Sequence, residues 1–191
     1  MRVAKREEVI DRWGILIEGA QGRAEEIFTK TSQRIEETKA PDVRLERRKV
    51  APSIVRGILG KRRDFLIIRQ VGNPRLKPYQ MFINARDYGN NLDVSWYLMA
   101  KPSLFEKIMN FLILWPGVNL LIFPFFLALL FKRMVQERAG LDLDLFDEQD
   151  LRAYVTNAHH CLLEAVERLM TDLNQDPSKI DRKSRGFLGI S

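Results

Sequence analysis

A run of 24 consecutive residues without a charged side chain, Ile108 to Phe131, constrains this chain of 191 residues more than any other feature. As one helix rising about 1.5 Å per residue, the run would be about 36 Å long, enough to cross a hydrocarbon core of about 30 Å. Buried core helices seldom continue past about 14 unbroken apolar residues. The sequence therefore predicts a segment inserted in a membrane.

Helix-breaking residues interrupt this run. Pro116 and Gly117 stand in its middle, and Pro124 follows. Ser103 and Glu106 form an S-x-x-E capping box that predicts a helix start at Leu104. The segment 104–138 is then either a re-entrant hairpin bent at Pro116-Gly117 or a single kinked span. The residues predicted to insert are Ile108, Phe111, Leu112, Trp115, Pro116, Gly117, Leu120, Phe123, Pro124, Phe126 and Leu130.

The charges around the segment favour the hairpin. Lys101 and Lys107 precede it, whereas Lys132, Arg133 and Arg138 follow it, so the positive-inside rule places the C-terminal side in the cytoplasm. The charged N-terminal region has no signal peptide to export it, which favours the same side. We therefore predict a membrane location with both soluble parts in the cytoplasm.

The net charge of +6 belongs to the N-terminal part of the chain. Residues 1–107 hold 22 Lys and Arg against 14 Asp and Glu, whereas residues 132–191 hold 9 against 11. A basic excess favours an anionic partner. Cys161 is the single cysteine, so no internal disulfide can form.

Residues 1–103 are predicted to be a basic region that combines a helix with a small sheet. Apolar or small side chains recur at steps of three and four over residues 4–36, which predicts an amphipathic helix. Residues 64–71 form a short apolar run typical of a strand, and strict alternation predicts a hairpin of strands 79–86 and 92–99. We expect an antiparallel sheet of three or four strands, and hence a membrane-associated α+β fold.

The chain after the apolar run divides into two further parts. Residues 139–173 are predicted to be an acidic connector followed by an amphipathic helix over 147–173, with Asp147 as its N-cap. The polar residues 174–191 are predicted to be a flexible tail with a small docking point near Leu188.

The most charged local feature lies between Arg44 and Arg63, where eight basic residues accompany the one acid Glu46. Three interpretations stay open: a solvated or partner-facing strand edge, contact with anionic lipid headgroups, and nucleic-acid binding. No aromatic residues interleave with the charges, as they do where single-stranded bases stack. The predicted contacts to an anionic partner are Arg44, Arg47, Arg48, Lys49, Arg56, Lys61, Arg62 and Arg63.

No set of residues in the chain predicts a catalytic, cofactor or metal site. The consecutive residues His159, His160 and Cys161 point about 100° apart on a helix and cannot converge on one metal. The acids from Asp142 to Asp150 lack the glycine of a calcium loop. The Gly57–Lys61 stretch lacks the first glycine and the Ser or Thr of a P-loop.

These patterns predict a non-enzymatic, membrane-anchored interaction or scaffold subunit. It would recruit or hold a larger protein assembly at the cytoplasmic face of a membrane. Its expected partners are membrane lipid and other protein subunits, including copies of itself. The alternative is a membrane-tethered binder of nucleic acid or another polyanion through residues 44–63.

Overall fold

A five-stranded antiparallel sheet with two α-helices forms the described part of the protein, for which we use a computed structural model. The structure describes residues 9–50, 63–100, 143–186 and 188–190. Its elements, in chain order, are β1 (Val9–Ile17), α1 (Ala24–Glu37), β2 (Val43–Val50), β3 (Arg63–Gln70), β4 (Tyr79–Tyr88), β5 (Asn91–Ala100), α2 (Leu145–Asp172) and a short 3-10 turn (Pro177–Lys179).

The strands lie in the order β1-β5-β4-β3-β2, with every neighbouring pair antiparallel. The described residues divide between two units: residues 9–50, 63–100, 150–186 and 188–190 belong to the first, and residues 143–149 belong to the second. The sheet, α1 and the part of α2 from Asp150 onward belong to the first unit.

Both helices pack on the same face of the sheet. Trp96 of β5 contacts His159 of α2, and Arg47 of β2 lies over the ring of Phe28 in α1. The apolar stripe of α2 is buried in this layer, and its members are Leu151, Tyr154, Val155, Ala158, Leu162, Ala165, Val166 and Leu169. On the opposite face, the cross-strand partners Ile67 and Phe82 belong to a second apolar cluster with Val50 and Met99.

The hairpin predicted from strict alternation is present as β4 and β5. Tyr79 pairs with Ala100 at one end and Tyr88 pairs with Asn91 at the other. Gly89 in the connecting turn has a φ of +61°, in the left-handed region where glycine carries no steric penalty.

The predicted N-terminal helix over residues 4–36 is wrong. Residues 9–17 form strand β1, and α1 begins only at Ala24. The predicted stripe included Leu16, which is exposed. Burial along β1 follows a period of two instead, since Asp11, Trp13 and Ile17 are buried on one face of the strand. Gly19 and Gly22, both at positive φ, separate strand from helix. The sheet accordingly gains a strand and has five, not three or four.

The predicted membrane-associated fold class is corrected as well. Within residues 9–50, 63–100, 143–186 and 188–190, no helix is both long and apolar enough to cross a membrane. The segment 104–138, with the residues from Ile108 to Leu130 predicted to insert, lies outside the described residues. The predictions of contact with lipid and of a cytoplasmic location rest on that segment, and they stay predictions.

Candidate functional site

The two edges of the sheet differ in what lies beside them. At the β1 edge, the C-terminal segment of the chain runs alongside, and the backbone N–H of Arg185 donates to the carbonyl of Arg12 at 2.8 Å. At the other edge, β2 pairs with β3 on its inner side. No strand in the described part of the chain pairs with its outer side. This outer side of β2 is the candidate site, which we call the β2 edge.

The hydrogen-bonding pattern identifies the backbone groups that face outward along the β2 edge. The N–H of Val71 donates to the carbonyl of Asp42 at 2.8 Å, one position beyond the pair Val43 and Gln70. In an antiparallel ladder, hydrogen-bonded and non-hydrogen-bonded pairs alternate along the strand. Because Asp42 belongs to a hydrogen-bonded pair, residues 44, 46 and 48 also direct their N–H and C=O groups to β3. Residues 43, 45, 47 and 49 therefore direct theirs away from the sheet.

Basic side chains line the β2 edge on the sheet face opposite the helices. Arg44 and Arg48 are exposed, and Arg44 stands directly across from Arg69 of β3. Glu46 lies between Arg44 and Arg48 on β2. Its carboxylate accepts hydrogen bonds from Arg48 and, at 2.8 Å, from Arg69. The hydrogen bond from Arg48 is the main cause that lowers the pKa of Glu46. Three guanidinium groups thus share one carboxylate, which leaves a local excess of positive charge.

Arg47 is turned to the helix face and has a different role. Its guanidinium makes a bidentate pair with Glu25 of α1 and lies 4.5 Å from the centre of the Phe28 ring. The hydrogen bond to Glu25 raises the pKa of Arg47, and the same bond lowers the pKa of Glu25. Arg47 therefore connects β2 to α1, and its charge is balanced within the fold.

The remaining predicted contacts divide into two groups. Lys49 and Arg63 are exposed at the end of the β2–β3 ladder, where Val50 pairs with Arg63. Arg56, Lys61 and Arg62 lie outside the described residues. Arg69 was missed from the sequence because it belongs to an apolar strand. Only the register between β2 and β3, which pairs Arg69 with Arg44, places it on the face of Arg44.

A second candidate, the groove between α1 and α2, has a volume of about 370 Å³. Its charges are already paired: Arg168 with Glu164 at 2.7 Å and Lys30 with Asp172 at 3.6 Å. Such pairs at the surface are explained by helix packing without a ligand. The groove therefore offers a ligand little uncompensated charge.

The His159-His160-Cys161 stretch contributes to the core. Both ring nitrogens of His159 are engaged, and Cys161 is buried. Burial is the main cause that raises the pKa of the Cys161 thiol, which keeps it in its less nucleophilic form. Among the described residues, no group of three or more His, Cys, Asp or Glu side chains could hold a metal ion.

Comparison of the whole chain with protein-family models, with curated proteins and with solved structures finds no match. The geometry of the β2 edge is thus the basis on which a function is inferred.

Proposed function

We propose that this protein is a non-enzymatic interaction subunit that holds a partner protein by pairing an extended, acidic segment of the partner with the β2 edge. The observation that carries this proposal is the row of outward-facing backbone groups at residues 43, 45, 47 and 49, which no described strand satisfies. An exposed sheet edge is a ready template for an added strand, and the main-chain hydrogen bonds provide the affinity.

The charges beside the β2 edge support an acidic occupant. Arg44, Arg48 and Arg69 face the same side of the sheet with Glu46 as their shared counter-charge. Complementary charge speeds encounter and rejects like-charged partners. Two copies of this basic edge would repel each other, so the arrangement favours a different protein over self-association at this edge.

A polyanion such as single-stranded nucleic acid is the competing occupant. It would use the same guanidinium groups, but it has no peptide N–H and C=O groups to continue the ladder. Strand addition depends on the backbone of β2, whereas polyanion binding depends on side-chain charge alone. Removing an outward N–H should therefore weaken binding of a peptide strand and leave binding of a polyanion unchanged.

Replacing Lys49 by proline is expected to weaken strand addition. Proline removes the outward N–H of residue 49 without removing a hydrogen bond to β3, and proline is tolerated on edge strands. Lys49→Ala is the matched control because it removes the same charge and keeps the N–H. With a fluorescein-labelled ten-residue peptide of alternating Glu and Val as the probe and the full chain as the receptor, we expect anisotropy titrations to give about tenfold weaker binding for Lys49→Pro than for Lys49→Ala.

Equal affinities of these two variants for the peptide would overturn the proposal. The proposal would also be overturned if the wild-type protein bound a single-stranded oligonucleotide of equal charge more tightly than the peptide. Circular dichroism of both variants confirms that each retains the fold before binding is compared.

Neutralising the basic row is expected to reduce both affinity and salt sensitivity. For Arg44→Gln combined with Arg48→Gln, each lost exposed contact is worth about 0.2–1 kcal/mol, so binding of the acidic peptide should fall by about twofold to thirtyfold. The salt dependence should become shallower because fewer charges are screened. Lys179→Gln, an exposed basic residue in the 3-10 turn, should leave both quantities unchanged. An unchanged salt dependence in the double variant would contradict a role for this row.

A further inference from the structure

The C-terminal segment is held to the β1 edge by specific hydrogen bonds. Asp11, a fully buried residue of β1, accepts from the hydroxyl of Ser184 at 3.0 Å and from the N–H of Leu188 at 3.1 Å. The N–H of Arg185 donates to the carbonyl of Arg12. We call this segment, residues 180–186 with 188–190, the strap; its buried apolar side chains are Ile180, Leu188 and Ile190.

The strap also covers a fully buried histidine. His159 of α2 accepts a hydrogen bond at Nδ1 from Trp96 Nε1 at 2.9 Å, and its Nε2 lies 2.8 Å from the carbonyl oxygen of Arg182. Because an indole N–H only donates and a carbonyl only accepts, the ring is neutral with its proton on Nε2. Trp13 contacts the edge of the ring and donates from Nε1 to the carbonyl of Asp181 at 2.5 Å.

We propose that the strap is a pH-sensitive latch: protonation of His159 releases the strap from β1 while the sheet stays folded. A proton on Nδ1 would point at the N–H of Trp96, so one buried donor would face another. The imidazolium charge would also lie in a fully buried site. The ring contacts an exposed segment of the chain through the backbone carbonyl of Arg182. Displacing the strap would therefore bring water to the ring.

The charged groups around His159 are consistent with a latch that is closed at neutral pH. Burial is the largest influence and lowers the pKa of His159, and the neighbouring His160 lowers it further. The hydrogen bond to Arg182 and the carboxylate of Asp11 act in the opposite direction. On the strap, the side chain of Arg182 pairs with Glu167 at 2.8 Å, and Asp181 lies 3.7 Å from Arg185.

The direction of the pH dependence follows from this lowered pKa. The released state exposes His159, whose pKa then returns to about 6.5, and it binds a proton that the closed state excludes. The closed state is fully favoured above about pH 6.5 and loses stability as the pH falls below it. Well below pH 6.5, the one proton taken up on release raises the opening equilibrium by about tenfold per pH unit.

Hydrogen exchange of the full chain tests the latch. We would follow peptides covering 180–190 and peptides of β4 by mass spectrometry from pH 7.5 to 5.0, with rates corrected for the intrinsic pH dependence of amide exchange. We expect strap protection to fall by about fivefold between pH 6.5 and 5.5 while β4 stays protected. Constant strap protection, or loss from β4 with the same slope, would overturn the latch.

Two variants assign the slope to one residue. His159→Gln can accept a hydrogen bond from Trp96 and donate one to Arg182 but cannot take up a proton. The protection of its strap amides from exchange should therefore not change with pH below about 6.5. His160→Gln, at the adjacent exposed position, should retain the wild-type slope. A slope that disappears in His160→Gln would refute the assignment even where His159→Gln fails to fold.

Discussion

Replacing Asp11 by alanine is expected to lower the free energy of unfolding by about 3–5 kcal/mol. The carboxylate is fully buried and accepts hydrogen bonds from Arg12, Ser184 and Leu188. Alanine would leave these donors without a partner, and hydrogen bonds to a charged acceptor are stronger than neutral ones. Urea denaturation of the full chain, followed by circular dichroism at pH 7.5, measures the loss.

Two companion variants make this result specific. Asp11→Asn keeps one carbonyl oxygen as an acceptor, so its loss should be about half that of the alanine variant. Asp150→Ala removes an exposed acid from α2 and should unfold close to the wild-type midpoint. A wild-type midpoint for Asp11→Ala would show that the strap adds little to the stability of the fold.

The elements that were predictable from the sequence are those specified by short-range patterns. The β4–β5 hairpin combines strict alternation with a turn at Gly89, and both signals lie within 22 residues. The helix predicted over 147–173 is present as α2, although it begins at Leu145. The N–H of Asp147, predicted to be the N-cap, instead donates to Asp144 Oδ1 at 2.9 Å. The side chain that caps the helix is therefore Asp144, three residues before the predicted Asp147.

Strand β1 was misread because its side chains satisfy two periods at once. Val9, Trp13 and Leu16 follow the four- and three-residue steps of a helix face. Trp13 and Ile17, four residues apart, equally fit one face of a strand, and these two are the buried ones. The strand prevails because β1 pairs with β5, which places Trp13 directly across from Trp96. That pairing joins residues about 80 positions apart, and no local pattern contains it.

The candidate site shows the same division between local and distant information. The charge of Arg44, Arg47 and Arg48 is evident in the sequence, but the face each one occupies depends on the register with β3. The pair of Arg47 with Glu25 turns a predicted contact into a structural one. The hydrogen bond of Leu188 to Asp11 spans 177 positions, so an anchor of this kind is found only after folding.

Removing the hydroxyl of Tyr154 is expected to lower the free energy of unfolding by about 2–3 kcal/mol. Tyr154 of α2 donates to the carbonyl of Ile68 at 2.8 Å and accepts from the N–H of Met81 at 3.1 Å. Burial raises the pKa of Tyr154, so the hydroxyl stays protonated and keeps its donor. The helix thereby contributes a hydrogen bond to each of two neighbouring strands, β3 and β4.

The matched control for Tyr154→Phe is Tyr97→Phe, which removes the hydroxyl of a half-buried tyrosine on the opposite face of the sheet. Both proteins lose one oxygen atom and keep the aromatic ring, so a difference in their urea midpoints reports the hydroxyl bridge alone. We expect Tyr97→Phe to unfold near the wild-type midpoint and Tyr154→Phe well below it. Equal midpoints for the two variants would show that β3 and β4 satisfy their own backbone groups and that α2 is held to the sheet by apolar packing.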